Sequence, residues 1–99
     1  MSVQQTVLSL WKGHLPRVRT MADIAAEVSE ETGISVAAMK GPSRYRIIVY
    51  PRQEAIWRMV QEDRWTWAQI ARFFNRDHTT IIFAFRQVEK RNALRSEER

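Results

Sequence analysis

Apolar residues recur along this chain at the spacing of helices rather than strands. Ile24, Ala25 and Val28 form one stripe that ends before Gly33. Ahead of it stand Thr20 and Asp23, a pair in which the hydroxyl accepts from an orphan helix amide and the carboxylate reaches back to the capping residue. Gly33 supplies the left-handed stop. Ser35 is placed to cap a short second helix over residues 36–40, which Gly41 and Pro42 end. A third helix is expected over residues 48–61, with Ala55, Ile56, Met59 and Val60 facing inward and Pro51 confined to the first turn, where no amide partner is required. Thr66 caps a fourth, in which Trp67, Ile70, Ala71 and Phe74 stand at i, i+3, i+4 and i+7. Asn75 and Arg76 then leave almost no room for a connection, and asparagine is the residue after glycine that best accepts a left-handed backbone. Asp77 caps a fifth helix that begins at His78, turns Ile81, Phe85 and Val88 inward, and is expected to fray after Arg91.

Strand-like composition is confined to residues 45–50 (YRIIVY), a short run leading straight into Pro51. With three glycines, three prolines and no internal repeat, the 99 residues read as compact helices with short connections, and a hydrophobic fraction of 44% is enough for one modest core. The expected fold class is all-α, a small helical bundle containing a helix-turn-helix. Residues 1–19 read as a helical N-terminal extension, 20–93 as the domain proper, and 94–99 as a frayed, charged tail. In the extension Val3, Val7, Leu10 and Trp11 share one helical face. That face either packs onto the domain or serves as a surface for a second copy or a protein partner.

Composition narrows the chemistry. There is no cysteine, which removes disulfides, thiolate catalysis and cysteine-based zinc sites. The two histidines, His14 and His78, stand far apart with no second ligand at metal spacing, so no metal and no cofactor is expected. No apolar run approaches the ~20 residues of a membrane-spanning helix, and no secretory leader pattern is present, so a soluble intracellular protein is expected, without a membrane partner. The formal charge is +5, which favours an anionic partner. Residues 21–39 carry Asp23, Glu27, Glu30 and Glu31 and no basic residue, whereas Lys40, Arg44, Arg46, Arg52 and Arg58 follow at once. The positive field therefore begins abruptly near Lys40.

The helices on either side of Asn75 and Arg76 have the layout of a helix-turn-helix: a short apolar helix, a tight turn, and a second helix with a polar first turn, Asp77-His78-Thr79-Thr80. In such motifs that turn enters the major groove of duplex DNA, where short donors and acceptors meet base edges and threonine methyls can pack on thymine. Asp77 is equally an N-cap, and the other three equally suit a solvated helix start. Arg44 and Arg46, in a loop between helices, are spaced for one to reach a minor groove while the other holds phosphate, although an arginine pair is also a common solvated surface feature. Arg52 and Gln53 are expected in the first turn of the third helix, where acidic residues are usual and an arginine suggests a phosphate ligand. The four tryptophans, Trp11, Trp57, Trp65 and Trp67, are read as core rather than as stacking platforms for single-stranded bases.

Taken in order, the acidic amphipathic helix, the basic loop over 43–46, Pro51-Arg52-Gln53, and Arg76-Asp77-His78-Thr79-Thr80 resemble the C-terminal DNA-binding domain of the bacterial replication initiator DnaA. The resemblance covers residues 21–91, and its last motif is specific. It implies a helical domain similar in architecture to the Trp repressor that binds short asymmetric duplex sites, DnaA boxes, as a monomer. It further implies that Arg44 reads the minor groove, that Arg76, Asp77, His78, Thr79 and Thr80 contact bases or phosphate in the major groove, and that Arg52 and Gln53 contact the backbone or support it. The chain departs from the family in having only Asn75 between Phe74 and Arg76, and in the bulk of Phe83 and Phe85. It also lacks a G-x-x-x-x-G-K-[ST] loop, so a free-standing reader without nucleotide binding is expected.

An enzyme is disfavoured, because Asp77 and His78 are helix neighbours about 100° apart and cannot orient one another. The remaining alternative is a protein-interaction module whose basic face binds DNA weakly and without regard to sequence.

Overall fold

The structure, a computed structural model, describes residues 19–97. The expected face of Val3, Val7, Leu10 and Trp11 lies outside them. Five helices follow in order: α1 (Met21–Thr32), α2 (Val36–Lys40), α3 (Arg46–Gln61), α4 (Trp67–Phe74) and α5 (His78–Glu97). No strand occurs among the described residues.

The punctuation follows the sequence closely. Thr20 and Asp23 close a reciprocal capping box on α1, the Ser35 hydroxyl accepts from the Ala38 amide, and Thr66 with Gln69 closes a second box on α4. Each such cap contributes about 1 kcal/mol. Gly33 ends α1 at φ 77°, its amide donating to Ser29 O. Asn75 ends α4 at φ 54° and ψ 48°. There the Asn75 amide bonds to Arg72 O at 3.2 Å and the Arg76 amide to Ala71 O at 2.9 Å, the paired bonds of a Schellman ending.

Two helices differ from expectation. α3 begins at Arg46, not at residue 48, so Pro51 lies in its second turn. The Ile48 and Val49 amides both close on Tyr45 O, which starts the helix without a side-chain cap. Pro51 deprives only the Ile47 carbonyl of a partner, and Ile47 is exposed, where water serves it. The strand-like run over 45–50 is thereby helical. α5 continues to Glu97 instead of fraying after Arg91. Arg91 anchors that part of the helix, donating to Gln53 Oε1 at 2.8 Å and lying 4.4 Å over the Tyr50 ring.

The long α3 runs through the middle, with α1, α2 and α5 against it and α4 against α5. Ile24, Ala25 and Val28 meet Met39, Ala55, Ile56 and Met59, and α4 and α5 close the core with Ile70, Ala71, Phe74, Ile81 and Ala84. Trp65 and Trp67 pack against its edge, and Trp67 meets Phe85 edge to face at 5.6 Å between centroids. Trp57 donates its indole N–H to Glu89. Phe74 is the largest fully buried side chain and stands one residue before the turn, so the core and the helix-turn-helix share an anchor.

Phe74→Ala is expected to cost about 3–5 kcal/mol in urea unfolding. Asn75→Ala should cost about 1 kcal/mol or less, because alanine lacks the short polar side chain that lets asparagine adopt the left-handed region, whereas Asn75→Gly should cost little.

Candidate nucleic-acid interface

The carbonyls at the end of α2 and in the loop behind it have no helical partners, and two arginines serve them. Arg52, on α3, donates from Nε to Met39 O at 2.6 Å, and from Nη2 to Gly41 O at 3.1 Å and Ser43 O at 2.9 Å. Arg76, in the turn between α4 and α5, donates from Nη2 to Gly41 O at 2.5 Å, and from Nη1 to Phe74 O at 3.1 Å and Lys40 O at 3.4 Å. Gly41 O thus accepts from both guanidiniums, one for each lone pair. A Cβ added to Gly41 would come 3.3 Å from Ala38 O, a tight contact that the end of α2 would have to relieve by a few tenths of an ångström.

Burial holds the Arg52 guanidinium below its usual value, with the neighbouring Arg76 charge adding to the shift; burial does the same to Arg76. Both remain cations, since arginine ordinarily titrates far above neutrality. Two like charges are tolerated here because the carboxyl end of α2 presents a concentration of partial negative charge.

Arg52 and Gln53 therefore do not occupy an open first turn. They lie in the second turn of α3, 7% and 8% exposed, and the first-turn amides belong to Arg46 and Ile47. Gln53 is held by Arg91 across the α3–α5 contact. Arg52 falls at i with Ala55, Ile56 and Met59 at i+3, i+4 and i+7, so its burial continues the core stripe.

The remaining site residues face outward. Arg44 and Arg46 are exposed and have no hydrogen-bond or ion-pair partner among the described residues. The Tyr45 amide between them donates to Ser43 Oγ, which fixes the loop that Arg52 grips. At the start of α5, Asp77 Oδ1 accepts from the Thr79 amide at 2.9 Å and the Thr79 hydroxyl at 3.0 Å, with His78 Nδ1 at 3.2 Å. Asp77 is thus the cap of α5, and His78, Thr79 and Thr80 stand exposed in its first turn. A groove of about 670 Å³ separates loop from helix, with Arg44 on one wall and Thr80 and Phe83 on the other.

The positive field is narrower than the sequence suggests. Arg58 is paired with Glu31 at 2.6 Å and Glu54 at 3.4 Å, and Arg19 with Glu27 at 2.5 Å and Glu62 at 2.8 Å. Lys40 lies 4.0 Å over the Phe73 ring. Among the described residues Lys40 and Arg44 line the groove without a carboxylate partner, and Arg46 stands unpaired at the start of α3.

A short apolar helix, a Schellman turn and a second helix with an exposed polar first turn define a DNA-binding helix-turn-helix domain. The family model for the bacterial DnaA protein helix-turn-helix matches residues 21–88, and the chain belongs to that family. It is 37% identical over 89 residues to the chromosomal replication initiator protein DnaA of Zymomonas mobilis, an alignment covering 89% of this chain and 18% of the relative. The initiators of Cereibacter sphaeroides, 37% identical over 79 residues, and Caulobacter vibrioides, 36% over 80, cover 79% and 80% of this chain and 17% and 16% of their own lengths. The chain therefore spans less than a fifth of these relatives.

Thr79 and, secondarily, His78 hold the Asp77 carboxyl below the usual carboxylate range. A depressed folded-state value means that the stability Asp77 contributes is fully present above the unfolded value near pH ~4 and is lost as pH falls through the lower folded value. The stability difference between wild type and Asp77→Asn, read from thermal melts, should accordingly be present at about pH 5 and shrink as the pH falls below about 4. A difference independent of pH would show that the carboxylate charge plays no part in the cap.

Proposed function

We propose that this chain binds double-stranded DNA in a sequence-specific manner at DnaA-box-like sites and thereby regulates replication initiation or transcription in the bacterial cytoplasm. The first turn of α5 enters the major groove, where His78, Thr79 and Thr80 meet base edges and Asp77 both caps the helix and faces a base-edge donor. Arg44 reaches the adjacent minor groove and Arg46 its phosphates. Arg76 belongs to both parts, since it stands at the entry to α5 and grips the loop. Arg52 and Gln53 support the interface from within. No helix among the described residues is long and apolar enough to cross a membrane.

One observation carries this reading: Arg44 of the loop and Thr80 of the first turn of α5 line a single groove, and the loop is tied through Gly41 O both to α3 and to the turn that launches α5. A duplex reader needs that arrangement, because two elements held at a constant separation can follow adjacent grooves without ordering cost on binding.

Fluorescence anisotropy at about 150 mM salt, the physiological screening regime, should show a DnaA-box duplex bound at least ~10-fold tighter than a scrambled duplex, a difference of about 1.4 kcal/mol. Both His78→Ala and Arg44→Ala should erode that preference. Equal binding of box and scramble would reject sequence-specific reading and favour a basic face that serves a protein partner.

A further inference from the structure

Two large apolar side chains of α5, Phe83 and Leu94, are exposed, and of these only Phe83 lies beside the groove. Thr79, Phe83, Arg86 and Lys90, at i, i+4, i+7 and i+11, form a continuous exposed stripe, and three of its four members are polar or cationic. Phe83 is 60% exposed. Nothing in the core needs it, because the inward face of this stretch is supplied by Ile81, Ala84 and Val88. At about 100° per residue, Phe83 projects roughly 40° from Thr79 and 60° from Thr80 on opposite sides, one turn further along the helix. It lines the same groove as Thr80 and Arg44. Of the large apolar side chains exposed among the described residues, Phe83 alone lines this groove, and a ligand with an apolar feature seated there gains by covering the ring.

We propose that Phe83 is a specificity-determining residue that packs against the 5-methyl group of a thymine in the major groove, one helical turn beyond the bases met by the first turn of α5. The inference rests on that turn lying in the major groove. Among the base edges there, the thymine methyl is the one apolar feature, and it distinguishes thymine from cytosine at a position where a phenyl ring has no hydrogen bond to offer. Arg86 and Lys90, continuing the stripe, bring the ring to the duplex by their attraction to phosphate.

The test uses the full chain and a series of box duplexes in which each thymine in turn is replaced by deoxyuridine, which removes the methyl and nothing else. Wild type should bind one member of the series about three- to fivefold more weakly than the parent duplex, the effect of uncovering one methyl group. Phe83→Ala should bind parent and that member alike, Phe83→Leu should retain part of the difference, and Arg44→Ala should retain all of it. The proposal is overturned if no deoxyuridine weakens wild type, or if the same loss persists in Phe83→Ala, which would assign the methyl contact to another residue such as Thr79. A scrambled duplex run alongside separates the two levels: equal binding of box and scramble removes the major-groove reading and this inference together, whereas a preserved box preference without a methyl effect removes the inference alone. Because Phe83 is exposed, its replacement should leave the unfolding midpoint unchanged, and a large shift would contradict its assignment to the DNA face.

Discussion

Two guanidinium groups on the open carboxyl end of a five-residue helix hold this domain's working surface together. Arg52 from α3 and Arg76 from the turn between α4 and α5, separated by 24 positions in the chain, reach the carbonyls of residues 39–43 and share Gly41 O. Burying cations is expensive unless every donor direction finds an acceptor, and a run of orphan carbonyls is equally expensive without donors. Each deficit answers the other. The planar, forked shape of arginine matters, since it sets donors on two nitrogens, Nε and Nη2, in one plane, which the single nitrogen of an ammonium does not.

This arrangement explains why an irregular loop can act as a rigid arm. The loop over 41–45 has few apolar contacts of its own, yet it is bound from behind by α3 and from the side by the turn that launches α5. Arg44 within it and Arg46 at the start of α3 remain unpaired among the described residues, so their charge is available to a ligand. The second tie, Arg91 to Gln53 and Tyr50, performs the same service for the far half of α5 and extends that helix to Glu97. Charge facing α1 is neutralised locally, as at Arg58 with Glu31 and Glu54, whereas the cations of the loop and of the outer face of α5 stay unpaired among the described residues.

What could be read from sequence was whatever depends on neighbours within one or two turns. Thr20, Ser35 and Thr66 cap as their positions imply, Gly33 and Asn75 adopt left-handed backbones, and the apolar stripe of α4 faces inward. The exposed first turn of α5 and the exposed Arg44 follow from the same local logic. Arg52 and Gln53 were less legible, because their partners lie 9 to 38 residues away and no periodicity announces a carbonyl. A signal existed nonetheless: Arg52 stands on the inward stripe of α3 with Ala55, Ile56 and Met59, where an arginine must find acceptors inside the protein. The start of α3 was obscured by β-branched Ile47, Ile48 and Val49 and by Pro51, whose cost is small at a solvated turn.

The most direct test of the central claim is the order of the loop when its grip from α3 is removed. Backbone amide order parameters should be near ~0.85 for residues 43–46 in the wild-type protein and fall below ~0.6 in Arg52→Met, with those of α1 unchanged as a control for folding. A loop that stays as ordered in Arg52→Met as in wild type would contradict the account, and would mean that Arg76 or the loop's own bonds suffice to hold the interface.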